Sequence, residues 1–355
     1  MTSRDQAYPR ILMMGCGSVG GVLAAGLLGA GYDVTIVTRN PAISSAISSN
    51  GLYLVTPAGR RTLAAAICAD SCPDLASTEG TFDIALLSMK ATDVLDAAAE
   101  VAPLLSNKGY VVTLQNGIVE DAVAAVVGRD RVVGAIVGWG ATMHRPGIYE
   151  MTSRGETVIG ELDGDVTERV LLLREVLAAA APAAISKNIT GALWSKLAIN
   201  CAITSLGAIT GETLGALLGR RNARSLALAI VSEVLDTAEA CKLTLEPVAG
   251  TLDLARLYVR PDRRKRGFRL IQIRQHLLIR AVGLKYRRLR SSMLQSLERG
   301  REPEIDYLNG YVVDRAREEG ICVPVNSAIT VMVHEIAAGG RRIDPTNLAI
   351  LAAAA

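Results

Sequence analysis

The chain has 355 residues and a mass of 37.4 kDa, enough for two domains that each bury a core. Half of it is hydrophobic and 21% is charged, which excludes a disordered chain, while the 4% aromatic share leaves Ala, Val, Ile and Leu to fill the interior. A net charge of +3 is too small to imply a polyanionic partner for the whole molecule.

Residues 10–14 (RILMM) read as a short buried parallel strand. Gly15-Cys16-Gly17-Ser18-Val19-Gly20 follows at once. An apolar helix then runs to about Ala30, Gly31 stops it, and residues 33–38 (DVTIVT) read as a second strand. This is G-x-G-x-x-G in the setting that gives it meaning: strand, tight turn, helix, strand. Gly15 permits the turn, Gly17 lets the backbone approach a pyrophosphate, and Gly20 lets the helix pack close to the strand. The helix N-terminus offers N–H groups and partial positive charge to the phosphates. All six residues of the turn are therefore cofactor candidates. A site that prefers NAD usually has an acid after the second strand, to accept from the ribose 2′-hydroxyl. Here the run is Thr38-Arg39-Asn40, and the planar fork of Arg39 suits a 2′-phosphate, so NADP is expected.

Residues 52–56 and 62–69 flank a Pro-Ala-Gly-Arg turn and suggest a hairpin. Residues 82–89 (FDIALLSM) form the next expected strand, ending in Lys90, and a helix is expected over about 92–102. Residues 110–115 (YVVTLQ) end in Asn116-Gly117, and residues 131–137 continue the sheet. Ligands of such sheets sit beyond the strand C-termini, so Lys90 and Asn116 both qualify as crevice residues. The plainer readings are a surface lysine and a turn-forming Asn-Gly. The three histidines, His144, His276 and His334, show no pairing with Ser and Asp and read as structural or surface residues.

Beyond about residue 185 strand signals stop. Segments 192–208, 222–242, 268–300, 304–320 and 325–339 read as helices. In the first, Lys196, Asn200 and Thr204 are spaced by four and share one face of an otherwise apolar helix. A buried lysine is costly without a partner or a task, whereas a lysine at a helix edge can snorkel to solvent. Farther on, Ser291-Ser292 either cap a helix or hold a ligand, and Glu304 and Asp306 either serve a helix N-terminus or a site. Asn309-Gly310 sits awkwardly in mid-helix and argues against the simpler account.

GCGSVG at 15–20, LLSMK ending at Lys90, LQNGI at 114–118, LWSKLAINCAI at 193–203 and RSSMLQSLERGREPEIDYLNGYVV at 290–313 together resemble the ketopantoate reductase family, in order and over nearly the whole chain. The resemblance implies an α/β fold: an N-terminal Rossmann NADP-binding domain, placed at 1–187, and a C-terminal all-α domain at 188–355. The latter would be related to the C-terminal domain of 6-phosphogluconate dehydrogenases and would serve substrate binding and dimerisation, with the active site in the cleft between the two. It implies NADPH-dependent reduction of 2-dehydropantoate to pantoate. Lys196 then matches the catalytic lysine, Glu304 the glutamate that contacts the substrate oxygen, and Asn200 and Ser292 substrate-binding residues. Thr204 stands where the family usually has a second asparagine. Lys90 and Asn116 match residues of the nicotinamide half, and Arg39 falls where the family reads the 2′-phosphate. The chain departs from the family also at Leu289 and Arg290, near a usual asparagine, at Ser296 in place of an acid, and in extra sequence between about 246 and 288.

The chemistry suits these residue types: a lysine ammonium aimed at a carbonyl oxygen stabilises the charge that builds there and supplies the proton. Residues 256–290 hold thirteen Lys or Arg against one acid, Asp262, with an amphipathic look across Leu270, Ile271, Ile273, Leu277, Leu278 and Ile279. A solvated helix pair explains this stretch most simply; a cleft that attracts anions or an anionic partner surface are the other readings. The six cysteines (Cys16, Cys68, Cys72, Cys201, Cys241, Cys322) show no CxxC pair and no zinc spacing, so no metal and no disulfide are expected. The N-terminal residues lack a signal-peptide core, and no run of about 18 uncharged apolar residues occurs. The expectation is a cytoplasmic reductase of a small 2-oxoacid, without nucleic-acid or membrane partners and with a homodimer allowed. A paralogue acting on another 2-oxoacid, or an NADP(H)-binding regulator without turnover, is the alternative.

Overall fold

A computed structural model describes residues 8–76, 82–247, 254 and 268–354. The chain divides into two compact units, one of residues 1–115 with 119–190, the other of residues 116–118 with 191–355.

The first unit holds β1 (Ile11–Met14), α1 (Ser18–Gly29), β2 (Val34–Val37), α2 (Pro41–Asn50), β3 (Leu52–Val55), β4 (Arg61–Ala64), β5 (Ile67–Ala69), α3 (Pro73–Ala76) and β6 (Phe82–Leu87). It continues with α4 (Val94–Val101), β7 (Leu105–Thr113), α5 (Glu120–Val127), β8 (Val132–Val137), β9 (Ala141–Arg145), β10 (Ile148–Met151), β11 (Thr157–Glu161), α6 (Glu168–Ala178) and β12 (Ala183–Ile185). Eight strands form the main sheet in the order β12-β11-β8-β7-β6-β1-β2-β5. Every neighbour pair is parallel except β11 with β8. The chain leaves β1 for β2 on one side and returns to β6 on the other, so the sheet reverses its winding between β1 and β6. A crevice opens beyond the strand C-termini at such a point. The strands are apolar and buried along their length, as a sheet covered on both faces requires.

A smaller sheet, β4-β3-β10-β9, packs on α1. Residues 62–69 therefore do not form one hairpin arm. Arg61–Ala64 pairs with β3, and Ile67–Ala69 crosses over to extend the main sheet beside β2. The pairing of β9 with β10 and the helices α2 and α6 have no counterpart in the sequence reading. Asn40 caps α2, accepting from Ala42 N at 3.0 Å with Pro41 at the first helical position.

The second unit is helical: α7 (Ile189–Thr210), α8 (Leu214–Gly219), α9 (Arg221–Ala240), α10 (Phe268–Lys285), α11 (Ser292–Glu298), α12 (Asn309–Glu318), α13 (Pro324–Ala337) and α14 (Asn347–Ala354). The stretch 268–300 breaks in two, because residues 286–290 turn back so that Leu289 O accepts from Leu214 N at 2.9 Å. The stretch 304–320 breaks as well: a 3₁₀ turn, Glu304–Tyr307, ends at Leu308, which leaves helical geometry with φ −113° and ψ −101°. The break delivers Asn309 to the core. There it bonds Ser205, Cys201 O (3.3 Å) and Asn326 Oδ1 (2.9 Å), and Asn326 in turn bonds Glu233 at 2.7 Å. The oddly placed Asn309 is thus a buried polar clamp among α7, α12 and α13. By length and composition α7 could cross a bilayer, yet 78% of its most apolar window is buried in the protein.

Candidate active site

The glycine turn is built as its spacing demands. Gly15 has φ +86°, a region that favours glycine, and a Cβ there would lie 3.0 Å from the Met89 backbone N. A Cβ on Gly20 would stand 2.2 Å from Ser88 Oγ and 2.4 Å from Gly15 O, so only glycine lets α1 approach the strand ends. Gly17 differs: among the described residues nothing lies within 4 Å of where its Cβ would be. It is the N-cap of α1, and among the described residues no side chain caps the helix, whose first turn also lacks an acid. The space in front of this helix end suits a pyrophosphate, and the group fits the residues present.

The side chains of the turn face inward. Tyr149 Oη donates to Cys16 O at 3.0 Å and lies 3.3 Å from Cys16 Sγ. Burial pushes the Cys16 thiol up to about 12, so it stays neutral. Ser18 Oγ accepts from Met143 N at 3.2 Å, and Val19 is half-buried against the core. Ser88 stands inside LLSMK, where no local pattern marks it as functional. Its Oγ donates to Gly15 O at 2.7 Å and pins the turn. Gln115 likewise carries no local signal of its role. Its Nε2 donates to Leu87 O (2.9 Å) and Met89 O (3.2 Å), tying the end of β7 to the segment that carries Lys90. Among the described residues its buried Oε1 has no hydrogen-bond partner. Lys90 is half-buried and precedes a 3₁₀ turn, Ala91–Asp93. Arg39 lies just beyond β2 and its Nη2 donates to Glu100 Oε1 at 2.6 Å.

In the second unit, Lys196, Asn200 and Thr204 are all partly accessible, while Leu193, Trp194, Leu197, Ala198 and Cys201 are buried. The polar row is the accessible stripe of a buried helix. Asn200 Nδ2 reaches Asn116 Oδ1 at 3.5 Å. Gly117, with φ +94°, approaches so closely that a Cβ would sit 2.3 Å from Tyr307 O, and Ile118 N donates to that oxygen at 3.4 Å. The Asn116-Gly117 turn, α7 and the turn that carries the half-buried Glu304 are thereby brought together.

Of the serine pair, Ser291 is the N-cap of α11. It accepts from Leu294 N at 3.1 Å and donates to Thr204 O at 2.6 Å, which anchors α11 to α7 beside the polar row. Ser292 is exposed. Ser296 is buried, with its hydroxyl donated to Ser292 O at 3.1 Å, and Leu289 is half exposed.

One histidine partner, Asp306, lies in the turn that carries Glu304, and the other two lie elsewhere. His144 meets Glu150 (2.6 Å), His334 meets Asp306 (2.9 Å) and His276 accepts from Arg224 (3.3 Å). The basic stretch lies in part outside the described residues. In its described part Ile279 and Gly283 pack inward, whereas Ile273, Arg274, Leu277, Arg280 and Leu284 are exposed. Among the described residues no group of three or more His, Cys, Asp or Glu could hold a metal ion.

The family model described as ketopantoate reductase PanE/ApbA matches residues 11–164, and its C-terminal counterpart matches residues 188–337. A 2-dehydropantoate 2-reductase of Mesorhizobium japonicum is 29% identical over 351 residues, covering 92% of this chain and 98% of that relative. The crystal structure of a PanE/ApbA family ketopantoate reductase from Ralstonia eutropha is 29% identical, with a TM-score of 0.77 over 93% of this chain and 99% of that one. A D-mandelate dehydrogenase solved with NADH and anilino(oxo)acetate shares the fold at 19% identity, with a TM-score of 0.76 over 93% of this chain and 99% of that one.

Proposed function

This chain belongs to the ketopantoate reductase family, and on that premise we propose that it reduces a 2-oxo carboxylate to the 2-hydroxy acid at the expense of NADPH, with 2-dehydropantoate as the substrate and pantoate as the product. The observation that carries this reading is the accessible row Lys196-Asn200-Thr204 on a buried helix, with Asn116 against Asn200 and the Glu304 turn held beside it. Residues 1–187 serve the nucleotide and residues 188–355 the substrate.

When bound, the reduced nicotinamide supplies the hydride. The backbone of Gly15, Cys16, Gly17, Ser18, Val19 and Gly20 holds the pyrophosphate at the uncapped end of α1, and Arg39 takes the 2′-phosphate. Lys90 and Asn116 orient the nicotinamide half. As hydride reaches the keto carbon, charge gathers on the carbonyl oxygen. The Lys196 ammonium stabilises that charge and gives up a proton from Nζ to form the hydroxyl. Glu304 accepts from the new hydroxyl or from the ammonium and fixes the direction of transfer. Asn200, Thr204 and Ser292 donate to the substrate carboxylate and hydroxyl groups. A threonine where the family usually has an asparagine shortens the reach at that position, so the pocket wall nearest Thr204 is where this chain's substrate preference is set.

The test is NADPH oxidation followed at 340 nm against a panel of 2-oxoacids that includes ketopantoate. Turnover with ketopantoate well above that with pyruvate or 2-oxobutyrate supports the assignment. Turnover with another member of the panel only would move the substrate and keep the reaction, and turnover with none would overturn the enzyme reading in favour of a nucleotide-binding regulator.

A further inference from the structure

The cation offered to a 2′-phosphate is already engaged. Arg39 Nη2 and Glu100 Oε1 are 2.6 Å apart, with side chains 55% and 33% exposed, so the pair stands at the surface of the first unit where a ligand can reach it. Glu100 lies in the last turn of α4, an end that disfavours an anion, and the guanidinium across from it offsets that cost. The hydrogen bond to Glu100, then its charge, then those of Asp93 and Asp96 favour protonated Arg39 and raise its pKa further above its ordinary value. The Cys72 thiol also borders this group, and burial together with Glu100 pushes it up to about 12, so it contributes no charge of its own. Glu100 is thus the carboxylate in contact with this guanidinium, and the charges of Asp93 and Asp96 act in the same direction.

This surrounding acts differently on the two nicotinamide dinucleotides. A 2′-phosphate brings close to two negative charges to Arg39 and meets Glu100 at short range. A 2′-hydroxyl brings none and can donate to the Glu100 carboxylate, the role an acid plays in sites that read NAD. We propose that Glu100 is a specificity-determining residue that restrains Arg39 and lowers the preference for the 2′-phosphate, leaving the chain able to use both dinucleotides. The inference rests on the assignment of Arg39 to the 2′-phosphate made above. At a separation of about 6 Å in water-like surroundings, one carboxylate repels a phosphate dianion by roughly a factor of ten in affinity.

The matched probes are adenosine 2′,5′-bisphosphate and 5′-AMP, which differ only in the 2′-phosphate, titrated by calorimetry into the full chain as wild type, Glu100→Gln and Arg39→Ser. Both sites are at the surface, and melting curves check that the variants fold. In Glu100→Gln the bisphosphate should bind about three- to tenfold tighter at low ionic strength, with 5′-AMP no tighter than in wild type, and the gain should shrink in 0.5 M salt. The ratio of kcat/KM for NADPH over NADH should rise in the same variant. In Arg39→Ser the advantage of the bisphosphate should vanish. If Glu100→Gln leaves the ratio of the two probes where it was while Arg39→Ser abolishes it, Glu100 has no such role and the Arg39 assignment stands. If the bisphosphate keeps its advantage in Arg39→Ser, the assignment fails and the proposal fails with it.

Discussion

Gly17→Ala separates binding from folding in the glycine turn. Gly17 has φ −71° and ψ −160°, extended backbone that alanine adopts without strain, and a Cβ there meets nothing within 4 Å among the described residues. The change costs the fold only the weaker capping of alanine, about 0.5–1 kcal/mol, or some 1–4 °C in Tm for a unit of this size. A bound pyrophosphate has no such tolerance. A methyl group in front of the α1 N-terminus must stand about 3.4 Å or more from a phosphate oxygen that would otherwise approach the helix N–H groups at about 2.9 Å. One charge-assisted hydrogen bond lost is worth about 1.5–3 kcal/mol, which is roughly 10- to 100-fold in Kd. Titration of NADPH fluorescence, paired with a thermal melt, reads both quantities. Gly20→Ala provides the contrast, because its Cβ would overlap Ser88 Oγ at 2.2 Å and Gly15 O at 2.4 Å. It should lower Tm through overpacking of about 1–3 kcal/mol. A Gly17→Ala protein that binds NADPH as tightly as wild type would refute the placement of the pyrophosphate.

Asn309→Ala should destabilise the helical unit by about 2–4 kcal/mol in urea unfolding, since it strands partners on Ser205, Cys201 O and Asn326 inside the core; a loss below about 0.5 kcal/mol would show that the clamp is slack. A thiol reagent at pH 8 should label the exposed Cys322 first. Cys16, pushed up to about 12 and hence ionised in only about one molecule in ten thousand at that pH, should react only on unfolding, with peptide mass mapping as the readout. Equal labelling of the two would contradict the inward-facing turn. Thr204→Asn, which exchanges the hydroxyl for a longer amide on the same accessible stripe, should change KM for 2-oxoacids with little change in the Kd of NADPH, and a shift confined to NADPH would remove Thr204 from the substrate side.

The parts legible in the sequence are those whose physics is local. The turn from Gly15 to Gly20, its flanking strands and the four-residue spacing of Lys196, Asn200 and Thr204 each lie within one or two elements, and backbone sterics or helical periodicity fix them. What was missed depends on residues far apart in the chain. Tyr149 returns over 133 positions to pack on the turn at Cys16, and Glu100 crosses 61 positions to hold Arg39. Neither leaves a signal in its own neighbourhood. The choice between Ser291 and Ser292 as the cap was equally closed to sequence reasoning, because it is settled by the bond from Ser291 to Thr204 O, 87 positions away. The break at Leu308 did leave a trace, in the improbable Asn309-Gly310 within a helical pattern, but only the fold reveals that the asparagine is wanted in the core.

The most direct measurement is a pre-steady-state comparison of wild type with Lys196→Ala, mixed with NADPH and saturating ketopantoate, together with the Kd of NADPH for each. The account predicts a hydride-transfer rate lower by two or more orders of magnitude, a Kd within about twofold of wild type, and partial rescue by added small primary amines. A variant that transfers hydride at the wild-type rate would contradict it.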